Sequence, residues 1–224
     1  MQTKMLGEQM SLARETATTA TAARLGSPVE ADGLLPAAAW TSAPPVCFAH
    51  DWRGANADPQ RETGVRVLWS PQALFFRFVA RYRSITVFQD AEQSGRRDEL
   101  WERDVVEVFL QPPDFTGKRY KEFEVSPNGF WIDLDITPQG KRFLESGLQR
   151  RAKITESAHT WEAQLAIPVK SLTDSFDPKK AWRLNFFRVE GATEPRFYSA
   201  WRPTGTAVPN FHVPEAFGQL VFEP

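Results

Sequence analysis

From Pro28 to the C-terminus, short apolar runs rich in β-branched and aromatic residues are cut at roughly every ten to twenty positions by Pro, Gly, Asn or Asp. No amphipathic stripe of three helical turns can be traced among them. Such punctuation leaves strands as the way to bury apolar surface. The runs predict strands at Val65 to Trp69, Leu74 to Tyr82, Val105 to Leu110, Tyr120 to Val125, Phe130 to Asp135, Arg151 to Thr155, Thr160 to Ile167, Trp182 to Val189, Phe197 to Trp201 and Gln219 to Phe222. Turn residues fall between them at Ser70-Pro71-Gln72, Ser126-Pro127-Asn128-Gly129 and Thr137-Pro138-Gln139-Gly140. The expected fold is all-β: an antiparallel β-sandwich of about ten strands in two sheets, with one short helix starting at Pro168 to Leu172.

A chain of 224 residues is ordinary for one such domain. The expected division is a disordered or weakly helical tail over residues 1–27 and a sandwich domain over residues 28–224. A formal net charge of −1, with basic residues interspersed among acids, gives no field for nucleic acid or an anionic membrane. No segment reaches the ~20 apolar residues of a membrane-spanning helix. Cys47 is the single cysteine, which excludes an intrachain disulfide and a zinc-finger pattern. The first 27 residues hold no apolar stretch of signal-peptide length, which taken alone argues for the cytoplasm.

Trp101 stands at the mouth of a strand on which Val105, Glu107 and Phe109 share one face and Val106, Val108 and Leu110 the other. A carboxylate among apolar neighbours is costly unless a cation, a donor or a ligand hydroxyl satisfies it. In the following hairpin Tyr120, Glu122 and Glu124 share one face, as do Trp131, Asp133 and Asp135 on its second strand, with Phe123, Val125, Ile132 and Leu134 on the opposite faces. Laid beside Glu107, these strands are expected to present one face with five carboxylates and two aromatics. Three chemistries fit that face. Carboxylates accept from sugar hydroxyls while Trp and Tyr cover pyranose CH faces. Clustered acids suit a hard cation, although the calcium-loop spacing is absent. The same acids also pair with Arg77, Arg81, Arg83, Arg119 and Lys121 as plain surface. A glycosidase would need two opposed carboxylates, and here none is singled out. Phosphate-loop, nucleophile-elbow, dinucleotide and zinc-protease motifs are absent. His50, His159 and His212 lie far apart. Trp69, Trp161 and Trp182 sit within strand patterns and are expected in the core. The segment Pro209 to Gly218 reads as a proline-braced loop with Phe211 at its tip.

Several segments together resemble the family 9 carbohydrate-binding module and its relatives in the wider DOMON-like group. They are Asp32-Gly33 with Trp40, Val65 to Trp69, Trp101 with Asp104 and Glu107, Tyr120 to Gly129, Trp161 to Pro168, Trp182 to Arg188 with Asn185, Trp201, and Pro214 with Phe217-Gly218. The resemblance implies a non-catalytic, monomeric sandwich that grips a mono- or oligosaccharide between two aromatics, in the service of carbohydrate catabolism. It needs no cofactor for binding, and any calcium would be structural. On that pattern Trp101 is the first aromatic, Glu107 the polar contact behind it, and Phe211 stands where the second plate, usually tryptophan, would close over the sugar. Glu124 occupies a position that holds arginine in sugar binders, and Asn210 lies near the asparagine that precedes the second plate. Tyr120, Glu122, Trp131, Asp133, Asn185, Arg188 and Trp201 are secondary candidates. The family's habit is export beside glycoside hydrolases. The alternatives are a glycoside hydrolase-associated or scaffold protein without sugar affinity and, further off, a heme-binding electron carrier. For the last, the axial Met is missing, since Met1, Met5 and Met10 all lie in the tail.

Overall fold

The computed structural model describes residues 18–26 and 33–224, within which thirteen strands and six short 3-10 helices are the regular elements. In chain order the strands are β1 Thr19–Arg24, β2 Val46–Phe48, β3 Thr63–Trp69, β4 Ala73–Arg81, β5 Val105–Gln111, β6 Tyr120–Val125, β7 Trp131–Thr137, β8 Gly140–Phe143, β9 Gln149–Thr155, β10 Thr160–Pro168, β11 Trp182–Glu190, β12 Phe197–Ala200 and β13 Gly218–Phe222. The expected short helix is the 3-10 turn Val169–Ser171. No helix among the described residues is long and apolar enough to cross a membrane.

The strands form one curled sheet in the order β8-β7-β6-β5-β11-β13-β1-β3-β4-β10-β9, with β12 paired to β11 and β2 to β3. Its two wings fold over one another: the Phe76 and Phe78 rings of β4 meet Phe186 of β11 at 6.1 and 5.8 Å, although those strands are not neighbours. Between the wings lies the main core, containing Val106, Val108, Leu110, Phe123 and Val125 from one side and Val65, Val67, Leu165 and Trp161 from the other. Trp69, Trp161 and Trp182 are buried in it as expected.

The wings are therefore one sheet rather than two, and the hinge between them is β1. This strand lies in the segment expected to be an extension. It runs parallel to both β13 and β3, with Ala22 opposite Phe222 on one side and Val67 on the other. The rest of the expected tail, residues 1–17, and Asp32 lie outside the described residues. The sequence Thr-Ala-Thr-Ala-Ala-Arg has weak strand propensity, so its conformation is imposed by the two ladders that flank it. Small side chains also suit the crowding there. A Cβ on Gly218, where β13 begins, would come within 2.6 Å of both the Thr18 carbonyl and the Trp201 ring.

The hairpin β6–β7 departs from expectation in its register. Val125 pairs with Trp131, Phe123 with Asp133 and Lys121 with Asp135, so Glu122 lies beside Leu134 and Glu124 beside Ile132. A slip of one residue exchanges every side chain between faces. Trp131, Asp133 and Asp135 consequently leave the Glu107 face. Trp131 packs against the main core, with the Arg96 guanidinium 4.4 Å from its ring. Asp133 takes Arg96 at 2.7 Å and the Ser146 backbone N–H at 3.1 Å. Asp135 takes Arg119, Lys121 and Arg142 at 3.1, 3.1 and 2.6 Å. Burial alone would raise the Asp135 carboxyl, but hydrogen bonds from these three cations bring it down to about 2. The face expected to hold five carboxylates holds three.

Two outcomes follow. Ala22 is fully buried, so Ala22→Asp places an unpaired carboxylate in the core and should lower Tm by about 10 °C or more in scanning calorimetry. Asp135→Asn should cost about 1–2 kcal/mol at pH 7, discounted for its partly exposed partners. Because this carboxyl is depressed in the fold, the deficit should shrink as pH falls from about 4 towards 2 in urea titrations.

Candidate functional site

The chain enters β5 through the 3-10 turn Leu100–Glu102, preceded by Glu99 in the left-handed region at φ 55°. Leu100 is buried in a second apolar layer with Val105, Phe109, Leu134, Phe187 and Val189, which leaves Trp101 half-buried at the rim. Asp104 fixes this entry, accepting from the backbone N–H of Gly191 at 2.7 Å and of Thr86 at 3.2 Å. Burial pushes its carboxyl up to about 6 against the opposing pull of those bonds. From the other side Arg196 donates to the Trp101 carbonyl at 2.8 Å, and the Lys141 ammonium stands 4.1 Å from the Trp101 ring centre.

Beneath Trp101, Glu107 of β5 is the direct partner of Glu124 on β6, with Glu122 two residues along the same face. One carboxylate oxygen from each lies within 4.8 Å of the others, and all three residues are 2% exposed or less. Burial raises all three carboxyls, Glu107 and Glu124 well above the ordinary range. Mutual repulsion adds to this for Glu107 and Glu124. No protein donor hydrogen-bonds Glu107 Oε1, Glu122 Oε2 or either oxygen of Glu124. Glu122 and Glu124 approach closely enough to share a proton.

The floor and rim enclose a cavity of about 510 Å³, within the usual range for small-molecule sites. Its wall opposite Trp101 comes from the loop after β12. Asn210 is exposed and its side chain accepts from the His212 N–H at 3.0 Å. Phe211 lies flat on Phe187, centroids 4.2 Å apart at 15°, so it forms wall rather than the expected cover. His212 stacks on Phe109 at 5.6 Å. On β12, Tyr198 and the preceding Arg196 reach the rim together, and Glu194 ties them by accepting from the Tyr198 hydroxyl at 2.5 Å and from Arg196 Nε at 3.0 Å.

Trp101, Glu107, Glu124, Asn210 and Phe211 thus converge on one cavity, and Glu122 joins them. The other secondary candidates have different places. Tyr120 lies behind the wall, stacked on Phe109 at 5.1 Å and hydrogen-bonded through its hydroxyl to His212 Nδ1. Trp131 and Asp133 are on the reverse face. Asn185 shares the Glu107 face but braces the chain, donating to the Arg202 carbonyl at 2.8 Å and accepting from its N–H at 2.9 Å. Arg188 is buried between the wings, donating to the Arg81 carbonyl and to Glu190 at 2.7 Å each. Trp201 is core, 5.6 Å from Phe186. Sequence reasoning did not single out Lys141, Arg196, Tyr198 or His212 for this site. The alternation Arg196, Tyr198 was a legible signal, whereas β8, which carries Lys141, is exposed and polar throughout.

A profile of carbohydrate-binding family 9 matches residues 51–222. An extracellular protein of Arthroderma benhamiae is 23% identical over 181 residues, covering 73% of this chain and 80% of that protein. The structure is similar to that of a candidate carbohydrate-binding protein from Bacteroides uniformis, with a TM-score of 0.72, 19% identity and coverage of 92% and 99% of the two chains. It is also similar to a family 9 carbohydrate-binding module from Caldicellulosiruptor kristjanssonii, solved with cellotriose and with glucose. Those TM-scores are 0.62 and 0.61, at 15% identity, covering 92% of this chain and 93% and 95% of the module.

Proposed function

The chain belongs to carbohydrate-binding family 9, and on that premise we propose that it binds a mono- or oligosaccharide, without turnover, in the cavity beneath Trp101. The observation that carries this reading is the juxtaposition of a partly exposed indole with three buried carboxylates, four of whose oxygens lack an N–H or hydroxyl donor, on one cavity wall. A pyranose has the matching pair of surfaces. Its CH face covers Trp101 or Tyr198, and its hydroxyls donate into Glu107, Glu122 and Glu124. Lys141, Arg196 and Asn210 supply donors at the rim for ring and hydroxyl oxygens. Buried acceptors without partners are costly in the free protein, so each hydroxyl that reaches one recovers a larger share of energy than a surface hydrogen bond would.

A binding rather than a catalytic role agrees with the acid geometry. A glycosidase sets its two carboxyls about 5 to 9.5 Å apart on either side of the scissile bond. Here the acids that line the cavity, among the described residues, are clustered on one face, with one oxygen of each within 4.8 Å of the others, and do not flank a bond from opposite sides. The glucose and cellotriose held by the C. kristjanssonii module support a glucose-type ligand.

Calorimetric titration of the full chain with cellotriose should give saturable binding, weakened at least tenfold by Trp101→Ala, about 1.4 kcal/mol or more. Tm should fall only modestly and the variant should stay folded, because the indole sits at the rim and is only partly buried. An unaltered affinity in a folded Trp101→Ala variant would overturn the site, and no saccharide binding in wild type would favour a scaffold that keeps the fold alone.

A further inference from the structure

We propose that Glu107, Glu122 and Glu124 together hold one hard divalent cation of the calcium class at the floor of the cavity, and that this cation presents its open positions to vicinal hydroxyls of the saccharide. The second half of the proposal rests on the saccharide reading; the first does not.

The geometry is that of one ion. Calcium takes oxygen ligands at 2.3–2.6 Å, so two ligands of the same ion stand no more than about 5.2 Å apart. An oxygen of each of the three glutamates falls inside that limit, all within 4.8 Å of one another. The donors are carboxylates alone, with no sulfur or imidazole among them, which suits calcium, magnesium or manganese rather than zinc or copper. Two lie directly opposite on paired strands and the third is two residues along, so the sheet supplies only one side of a coordination sphere. Calcium, with longer ligand distances and looser geometry, accommodates three strand-fixed carboxylates more readily than magnesium, which demands near-ideal octahedral geometry at about 2.0–2.1 Å.

Independent of the clustering is the lack of donors. Glu124 is fully buried, lines the cavity, and receives no hydrogen bond from any N–H or hydroxyl, its close polar neighbour being the Glu122 carboxyl; Glu107 and Glu122 each have one buried oxygen without such a donor. Other buried acids are provided for. Asp104 has two backbone N–H groups, Asp133 has Arg96 and Ser146, Asp135 has three cations, and Glu190 has Arg188. The bases nearest the three glutamates act on them only through space, Arg196 on Glu107, Lys141 on Glu122 and Glu124, and His212 on Glu122, and each makes its own contact elsewhere. Lys141 pairs with Asp98 at 3.1 Å, Arg196 bonds Glu194 and the Trp101 carbonyl, and His212 Nδ1 meets the Tyr120 hydroxyl while standing 3.9 Å from Glu122. The one bond inside the cluster is the proton that Glu122 and Glu124 can share, and a single dication within reach of all three carboxylates would displace it to solvent. The ion's remaining positions face the cavity, where adjacent hydroxyls of a pyranose can replace water.

The test uses the full chain stripped with EDTA and dialysed. Calcium chloride is titrated calorimetrically into wild type, Glu124→Gln and Glu107→Gln, and cellotriose is then titrated into each with 2 mM calcium or with EDTA. Terbium luminescence excited through tryptophan provides a second readout, since Trp101 overhangs the site. The expected result is a calcium stoichiometry lower by one in both variants, loss of the terbium signal in them, and cellotriose affinity at least tenfold weaker in EDTA than in calcium for wild type. Equal stoichiometry and equal terbium signal in wild type and folded variants would overturn the cation site, whatever cellotriose does. A stoichiometric difference with cellotriose affinity independent of calcium would overturn the bridging role. If calcium is bound and lost as expected but cellotriose binds under neither condition, the cation site stands and the saccharide reading fails.

Discussion

Glu107 and Glu124 face one another across β5 and β6 with Glu122 beside them, three acids whose burial holds their carboxyls above the ordinary range and opposes folding. All three are buried against the cavity floor, and no N–H or hydroxyl donor of the protein reaches most of their oxygens. The surrounding structure has to hold the two strands together regardless. It does so from behind, where Val106, Val108, Phe123 and Val125 enter the core between the wings, and from the flanks, where Phe109, Phe187, Phe211 and Phe217 form a second aromatic layer. The cavity floor is thus a strained place on a rigid support, as is common where a protein holds unmet bonding capacity for a ligand.

The same support explains the rim. Trp101 is positioned by the burial of Leu100 on one side, by the backbone bonds of Asp104 on the other, and by Arg196 on its carbonyl. Arg196 is in turn held by Glu194, which also holds Tyr198. Phe211 is fixed by stacking on Phe187 rather than standing free over the cavity. Both aromatic walls are therefore set before anything binds, and a ligand entering the cavity meets little ordering cost in the side chains.

Much of this was legible in the residues alone. Ten strands were marked by apolar alternation and turn residues, because in a half-buried sheet the period of two is the imprint of the core on the chain. The strands that escaped are those whose structure comes from neighbours. The Ala/Thr segment of β1 carries no apolar signal, yet it is clamped between β13 and β3; Gly140 to Phe143 is exposed edge, and β2 spans only three residues. The faces of β6 were read correctly, but how β7 registers against them depends on the loop geometry, and a one-residue difference moved Trp131, Asp133 and Asp135 to the reverse side. At the site, residues on β5 and β6 could be aligned by strand period. Lys141, Arg196, Tyr198 and His212 arrive from other elements, and only the fold brings them to the same cavity.

The central claim, that the cavity between Trp101 and the Phe211 loop receives a saccharide over the three glutamates, is tested most directly by a crystal structure of the full chain grown with cellotriose and calcium. The account predicts a sugar ring against Trp101, with its hydroxyls turned to Glu107, Glu122 and Glu124 through an anomalous-scattering cation. An oligosaccharide bound elsewhere on the sheet, with this cavity filled by water alone, would contradict it.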